Sequence, residues 1–517
     1  MSDVSAAQPK HSADGSGDEA VIRKSTWVAP ALLVVFIVAY VVYFTYRSTI
    51  QYRGYGDGTF DLGFYDQGVW LLSRFHAPYV TLMGRDLFGD HAQFLVLALV
   101  PFYWLRPDPT TLFGIQSLML ALGAVPVYML ARRRLGVPMY GALLAGCFLL
   151  HPALGLTNLE NYHPDSFLVP LLGFAIYGAI ERRPRLFIVC SVLALLVKED
   201  VVLVVLPLAV WYAVRRDRRV GSILAVAAVA AALAATNMVM RPLVGVSTRN
   251  AFRIPFSSCA RACSVTRHLV DFSKAVATRP AAVVRYLLAG DRPNGRPFYV
   301  WQMVAPTGLV FLVAPEVAAT ALLAFAANVI STYSFQHQIA YHYSMELLPG
   351  LAMGSVYALS RIASDRRRRI AVVAVCAAAL TGALLWGPLP GARHSDNGPT
   401  TLAPSAAAAV DRIVAKVPAN ATVSAYDTFA PHVDHRVRVY LWPTPFSASH
   451  WKLFQQEGQR LPEADSVQYL LLPAGRQDHP EVLAALQGQF VEIAHAENAQ
   501  GQGAVLYQRT TSPKPST

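Results

Sequence analysis

Eleven stretches of mostly apolar residues, each long enough or nearly long enough to cross a bilayer, leave few folds open to this chain. They fall at about 27–46, 110–131, 138–157, 166–181, 185–199, 200–214, 220–240, 298–313, 316–334, 344–361 and 370–388. Roughly 20 apolar residues span the hydrocarbon core, and fewer suffice where helices pack inside a bundle. With 54% hydrophobic and only 15% charged residues over 517 positions, the sequence reads as an α-helical polytopic membrane protein of about 11 transmembrane helices. The polar opening, residues 1–25, lacks the apolar core and cleavage site of a signal peptide, so it reads as a disordered cytoplasmic tail ahead of an uncleaved anchor.

The net charge of +12 does not point to nucleic acid, because the cations gather in short loops between apolar runs. Arg23 and Lys24, Arg132 to Arg134, Arg182, Arg183 and Arg185, Arg215 to Arg219, and Arg366 to Arg369 fall on one side under this count, which is then the cytoplasm. The run at 94–105 is short, contains Pro101 and would reverse every later loop if it spanned; it suits an interfacial or re-entrant helix. The membrane domain covers 26–389, with large outer loops at 47–109 and 241–297. The second loop departs from the orientation rule, carrying Arg249, Arg253, Arg261, Arg267, Lys274, Arg279, Arg285, Arg292 and Arg296. It is near the length at which charge stops controlling translocation, so the excess reads as a functional feature. Cys259 and Cys263 share this loop, and both a disulfide and two free thiols fit their spacing.

Composition changes after the last span. Residues 390–510 have nearly balanced charge, and the strand-like runs ATVSAY, RVYLW, VQYLLLP, FVEIAHA and GAVLYQR alternate with helical stretches such as SAAAAVDRIVAKV. This reads as a small C-terminal α/β extracytoplasmic domain followed by a tail at 511–517.

Under this topology the unusual polar residues collect on the outer face. They are Asp57, Asp61, Asp66, Asp86, Asp90 and His91; Glu160, His163 and Asp165 in LENYHPDSF; Lys198, Glu199 and Asp200 in LLVKEDVV; and His337, His342 and Glu346 in FQHQIAYHYSMELLPG. Charged groups at membrane depth are costly and functional by default. Each has a plainer reading beside that one. Lys198 could snorkel while Glu199 and Asp200 cap the next helix, or the three could line a pocket shared with the other loops. Asp61 is placed to cap a short interfacial helix. Asp66 falls inside that helix, about 140° around the axis from Asp61, so the two do not share a face and either could be the chemical group. His91 and His163, each within two residues of an Asp, fit satisfied histidines, metal ligands or acid/base groups. His337 and His342, five apart, suit structural or substrate-contact roles.

Five ordered blocks, FDLGFYDQGVW, GDHAQFLVLALVPFYWL, LENYHPDSFLVPLL, LLVKEDVVLVV and HYSMELLPG, resemble a bacterial and archaeal family of predicted multi-spanning membrane proteins with a domain of unknown function. The resemblance covers roughly residues 30–390 and extends distantly to the GT-C superfamily, membrane glycosyltransferases that use polyprenyl-phosphate sugars. It implies a GT-C-like fold in a bacterial plasma membrane, a polyprenyl-phosphate-linked sugar donor, and a cell-envelope glycan or protein acceptor. It also implies a catalytic acid in the first outer loop, by position Asp61 or Asp66. His163 and Asp165, with Glu199 and Asp200, would line the acceptor or metal side, and Asp90, His91, Glu160, Lys198 and His342 complete the expected substrate site. The chain lacks the Asp-X-Asp or Glu-Asp pair of better-known members in that loop, which leaves the identity of the base open. A divalent cation is a candidate cofactor, with His91, His163, Asp165 and Glu199 as candidate ligands, although no tight HxxxH or HExxH spacing is present. The rival classes are a transporter or flippase using the same charges as a relay, and a scaffold whose outer domain binds cell-wall partners.

Overall fold

The computed structural model describes residues 15–244, 255–256, 265–289, 295–393, 401–449, 456–475 and 478–510. Its principal helices are α1 (Gly15–Arg53), α2 (Phe64–Ser73), α3 (Pro109–Leu135), α4 (Pro138–Leu149), α5 (Pro152–Glu160), α6 (Leu168–Ile180), α7 (Pro184–Leu195), α8 (Val202–Arg215), α9 (Arg218–Val244), α10 (Leu322–Ile330), α11 (Leu348–Arg361) and α12 (Asp365–Trp386). Four of these, α1 from Trp27 onward, α3, α9 and α12, are long and apolar enough to cross a bilayer. The pair α4 and α5 makes a fifth if the 45° bend between them lies within one span. Phe94–Leu105, Pro164–Ile180, α7 and Ala318–Ile330 are shorter apolar helices of 10–17 residues, or roughly 15–25 Å against a hydrocarbon core of about 30 Å.

One expected span is not a single helix. The 298–313 stretch breaks where the helix Arg296–Val304 gives way to short 3-10 turns around Gly308 and Leu309, both at positive φ. Pro306 lacks an N–H and the left-handed Gly308 ends the turn, so an apolar composition cannot keep one helix running. Helix α1 begins at Gly15, inside the stretch read as a tail. Residues 1–14, like Cys259, Cys263, Arg249, Arg253, Arg261 and Arg292, lie outside the described residues.

The bundle is held by an apolar core drawn from α1, α3–α8, α11 and α12, including Phe44, Leu120, Phe148, Leu172, Phe187, Val204, Met353 and Val372. Outward-facing Val34, Val38, Val42, Ile223, Val226, Ile370 and Val373 leave an apolar girdle that a bilayer covers. Close approach is set by small residues. A Cβ on Gly221 of α9 would fall 2.4 Å from the Ala213 nitrogen and 2.6 Å from the Ala209 carbonyl, so backbone packs on backbone there.

Helices α6, α8 and α11 share a polarity that positions the site. Their N-terminal ends carry Asp165, Asp200 and the His342–Glu346 segment, and their C-terminal ends carry Arg182, Arg216 and Arg361. Cavities of about 270 and 280 Å³ lie at the arginine end, lined by Arg133, Arg134, Glu181, Arg182, Arg216 and Arg361 among others; neither borders the acidic cluster.

The strand-like runs of the C-terminal region are strands of one mixed sheet: β1 (Val423–Ala425), β2 (Val439–Leu441), β3 (Tyr469–Pro473), β4 (Phe490–Glu497) and β5 (Gly503–Arg509), in the order β2-β1-β3-β5-β4. Strand β1 pairs in parallel with β2 and β3, whereas β5 pairs antiparallel with β3 and β4. Alternation sends Leu470 and Leu472 to one face, with Trp442, Phe446 and Val467. Leu471, Val423, Ala425 and Val439 go to the other. That second face shares one core with α13 (Pro404–Val414) and with the first loop, through Tyr55, Leu62, Phe64, Val69, Val80 and Leu87.

Candidate functional site

The stretch that leaves α1 is pinned before it reaches Asp61. Asp427, just past β1, accepts from the Thr59 N–H at 2.9 Å, and its carbonyl accepts from the Thr59 hydroxyl at 3.0 Å. Between these anchors and α2 the chain turns sharply, and Asp61 takes φ 66° and ψ −76°. That is close to the rare γ-turn of positive φ, a conformation of order 1–3 kcal/mol uphill for a residue with a Cβ. The capping role expected of Asp61 is therefore corrected: Gly63 precedes α2 and no side chain caps it. Freed from the helix end, the Asp61 carboxylate turns to the bundle.

There it meets His163, whose Nε2 lies 3.7 Å from Asp61 Oδ2 and 2.6 Å from Glu160 Oε2. Pro164 drives His163 into extended backbone, and Gln116 of α3 holds the loop by accepting from the His163 N–H at 2.7 Å while donating to the Asn161 carbonyl at 2.7 Å. The His342 ring stacks on His163 at 3.9 Å between centroids, with Nδ1 3.8 Å from Glu160 Oε2. Tyr343, next along, carries Lys198 over its ring at 5.7 Å. Lys198 is buried, with Nζ 3.1 Å from Asp165 and 3.6 Å from Asp200. Glu199 completes the group, accepting from the Ala92 N–H and lying 2.7 Å from His91, and Asp90 pairs with Arg85 at 2.9 Å.

Electrostatics divides the roles. Burial pushes Asp61 up from the usual carboxylate range to about 7, against the pull of the His163 charge. Burial works against the His163 imidazolium, yet the Glu160 and Asp61 carboxylates outweigh it and hold it at about 9. Burial and then the His163 charge push His342 down to about 4, so one ring of the stacked pair is cationic and the other neutral. His91 is likewise held at about 9, burial being outweighed by Glu199.

Of the residues singled out from sequence, Asp61, Glu160, His163, Asp165, Lys198, Glu199, Asp200, His91, Asp90 and His342 are thus brought together from five segments. The snorkelling and capping reading of Lys198, Glu199 and Asp200 is not what forms, since Lys198 is 3% exposed and no side chain caps α8. Asp66 is separated from the cluster. It is fully buried in α2, accepting from the Tyr103 hydroxyl and lying against His435. The four metal candidates do not converge either, because Asp165 and Glu199 are taken by Lys198 and His91; His163 instead groups with Glu160 and His342, ligand atoms within 4.8 Å of one another. His337 is buried in a 3-10 turn. In the 241–297 loop, Arg296 is a clamp, stacked on Tyr286 and donating to the Ala289, Val329 and Ser331 carbonyls, while Lys274, Arg279 and Arg285 are exposed.

Sequence reasoning passed over Tyr103, Tyr343, Asp427, Asp434 and His435. The run HVDHR at 432–436 carries a visible signal, two histidines and an acid in one turn's length. Asp427 carries none, because its importance is a contact 368 residues away.

Comparison with known proteins adds three findings. A family model described as "Predicted membrane protein (DUF2079)" matches residues 57–498. No curated protein matches the sequence. The fold is similar to the crystal structure of ArnT from Cupriavidus metallidurans bound to undecaprenyl phosphate, at a TM-score of 0.53 and 14% identity over 94% of this chain and 99% of that one. The apo state of the same protein gives 0.49 and 14% over 91% and 98%.

Proposed function

The chain belongs to the DUF2079 family of predicted membrane proteins, and from that premise we propose that it is an integral-membrane glycosyltransferase, moving a sugar from a polyprenyl-phosphate donor to an extracytoplasmic cell-envelope acceptor. The observation that carries this reading is the Asp61 turn aimed at His163 and Glu160, at one end of the bundle. Similarity to a protein that binds undecaprenyl phosphate over 94% of this chain supports it, as does the GT-C resemblance of the sequence blocks.

In this reading Asp61 is the base. Its carboxylate takes the proton of the acceptor hydroxyl as that oxygen bonds to the anomeric carbon, and the sugar–phosphate bond breaks with its electrons leaving on the lipid phosphate. His163, charged and fixed by Glu160, stabilises ionised Asp61 until the acceptor arrives. A single displacement inverts the anomeric centre. The cluster holds more carboxylates than cations, and Lys198 is already paired with Asp165 and Asp200, so an anionic donor needs further counter-charge there. Glu160, His163 and His342 are the residues that would hold a divalent cation in the alternative state in which His163 is neutral, and the cation would then take over the positive charge beside Asp61. The Phe94–Leu105 helix, exposing Leu97, Phe102, Trp104 and Leu105, packs beside α2 and would form the wall for the prenyl chain.

For the topology we propose that the broken stretch 296–313 and the short helices α6–α8, α10 and α11 complete eleven crossings, shielded by longer neighbours. The arginine end then faces the cytoplasm, and the C-terminal sheet, 390–510, lies outside. The test is turnover of a radiolabelled polyprenyl-phosphate sugar by purified protein with membrane acceptors. Asp61→Asn is expected to lose about 10²- to 10⁴-fold. Wild-type turnover in that variant would remove Asp61 from the mechanism.

A further inference from the structure

Asp66 raises a separate question, because the structure seals it away from the cluster that Asp61 joins. It is fully buried, and opposite it stands Asp434, 2% exposed, from the segment between β1 and β2. Two carboxylates in so dry a place require compensation. Two features supply part of it. His435 Nε2 lies 3.1 and 3.2 Å from the two Asp66 oxygens, and the Tyr103 hydroxyl donates to Oδ1. Asp434 is left over: no hydrogen-bond donor reaches its Oδ2 among the described residues. The neighbouring cation, Arg436, spends its guanidinium on the carbonyls of Val433, Pro418 and Ala421.

We propose that Asp66, Asp434 and His435 form a divalent-cation site, of the zinc or manganese class, that clasps the C-terminal sheet to the first loop. The ligand atoms lie within 4.8 Å of one another, and two carboxylate oxygens with one imidazole nitrogen make a donor set such ions accept. In a tetrahedral site with bonds of roughly 2.1 Å, ligand atoms stand about 3.4 Å apart, so rotation of side chains suffices to close the set. The surroundings are built for orientation. Trp70 stacks on the His435 ring at 5.9 Å and 11°, and the Tyr103 hydroxyl fixes one oxygen of Asp66. The clasp joins residues 369 apart in sequence and sits five residues beyond Asp61, which makes it a lock on the candidate catalytic turn. It does not depend on the transferase reading.

The experiment uses the full chain in detergent, stripped with chelator, reloaded with Zn²⁺ and desalted, with bound metal counted by elemental analysis. Co²⁺ loading in parallel reports ligand geometry through visible absorption. Wild type is expected to retain one more equivalent than Asp434→Asn and His435→Gln, and those variants to lose the matching Co²⁺ bands. Glu160→Gln, which alters the other candidate set, is expected to keep them. Equal metal content in wild type and in the Asp434 and His435 variants overturns the proposal, as does loss of all metal in Glu160→Gln. Should the interface variants fail to fold, the Co²⁺ bands of wild type beside Glu160→Gln decide the question.

Discussion

A residue held at φ 66° with a Cβ does not stay there without restraint, and for Asp61 the restraint is visible: Asp427 grips Thr59 two residues earlier. Asp427→Ala should release the turn and lower kcat roughly 10- to 100-fold with little change in KM. Asp427→Asn, which keeps an accepting oxygen, should recover most of that; equal damage from both would point to a charge effect instead. The ionisation states make a second prediction. Asp61 acts when ionised, so kcat/KM should rise about tenfold per pH unit up to about 7. His163 must keep its proton, so the rate should fall above about 9. The plateau between these limits is checked by a pH–rate profile, and His163→Gln should lose the alkaline limb. A profile flat from pH 5 to 10 would separate both groups from the chemistry.

At the scale of elements, helix packing here depends on backbone meeting backbone. Strands of lipid-like apolar surface give helices no hydrophobic reason to choose one neighbour, and small residues decide it. Gly221→Ala would drive a methyl into the α8 backbone at Ala209 and Ala213, and should destabilise the protein by about 1–3 kcal/mol, read as a lowered unfolding temperature in detergent. An unchanged transition would mean that α9 sits farther from α8 in the membrane. Helix polarity operates at the same scale. With acids at the N-terminal ends of α6, α8 and α11 and arginines at their C-terminal ends, the local dipoles favour both, while the cations His163 and Lys198 at the acidic end are held by carboxylates instead. The arrangement that would orient the chain across a bilayer thus also gathers the candidate site.

For the whole molecule, the sheet and the first loop share one core, joined further by Tyr55 donating to Asp411, Gln67 donating to the Arg436 carbonyl and Tyr52 stacked on His432 at 4.2 Å. Truncation after residue 389 should therefore expose Leu62, Phe64, Val69 and Leu87 and yield aggregated protein, monitored by size-exclusion of a fluorescent fusion; a monodisperse, stable fragment would show the sheet to be a separable attachment. Much of the architecture was legible in one dimension. Apolar runs announce a membrane bundle because every buried backbone group must be satisfied within a helix, and alternation announces the C-terminal strands because one residue in two turns inward. The polar residues of the first loop, LENYHPDSF, LLVKEDVV and HYSMELLPG were visible for the same reason, being costly among apolar neighbours. Their pairing was not. Which of Asp61 and Asp66 faces the bundle depends on a turn held by Asp427, and what faces Asp66 depends on a sheet folded against it from 369 residues away. Composition and period act along the chain, where local sterics and solvation write them; partnership between distant side chains exists only once packing has closed the loops between them.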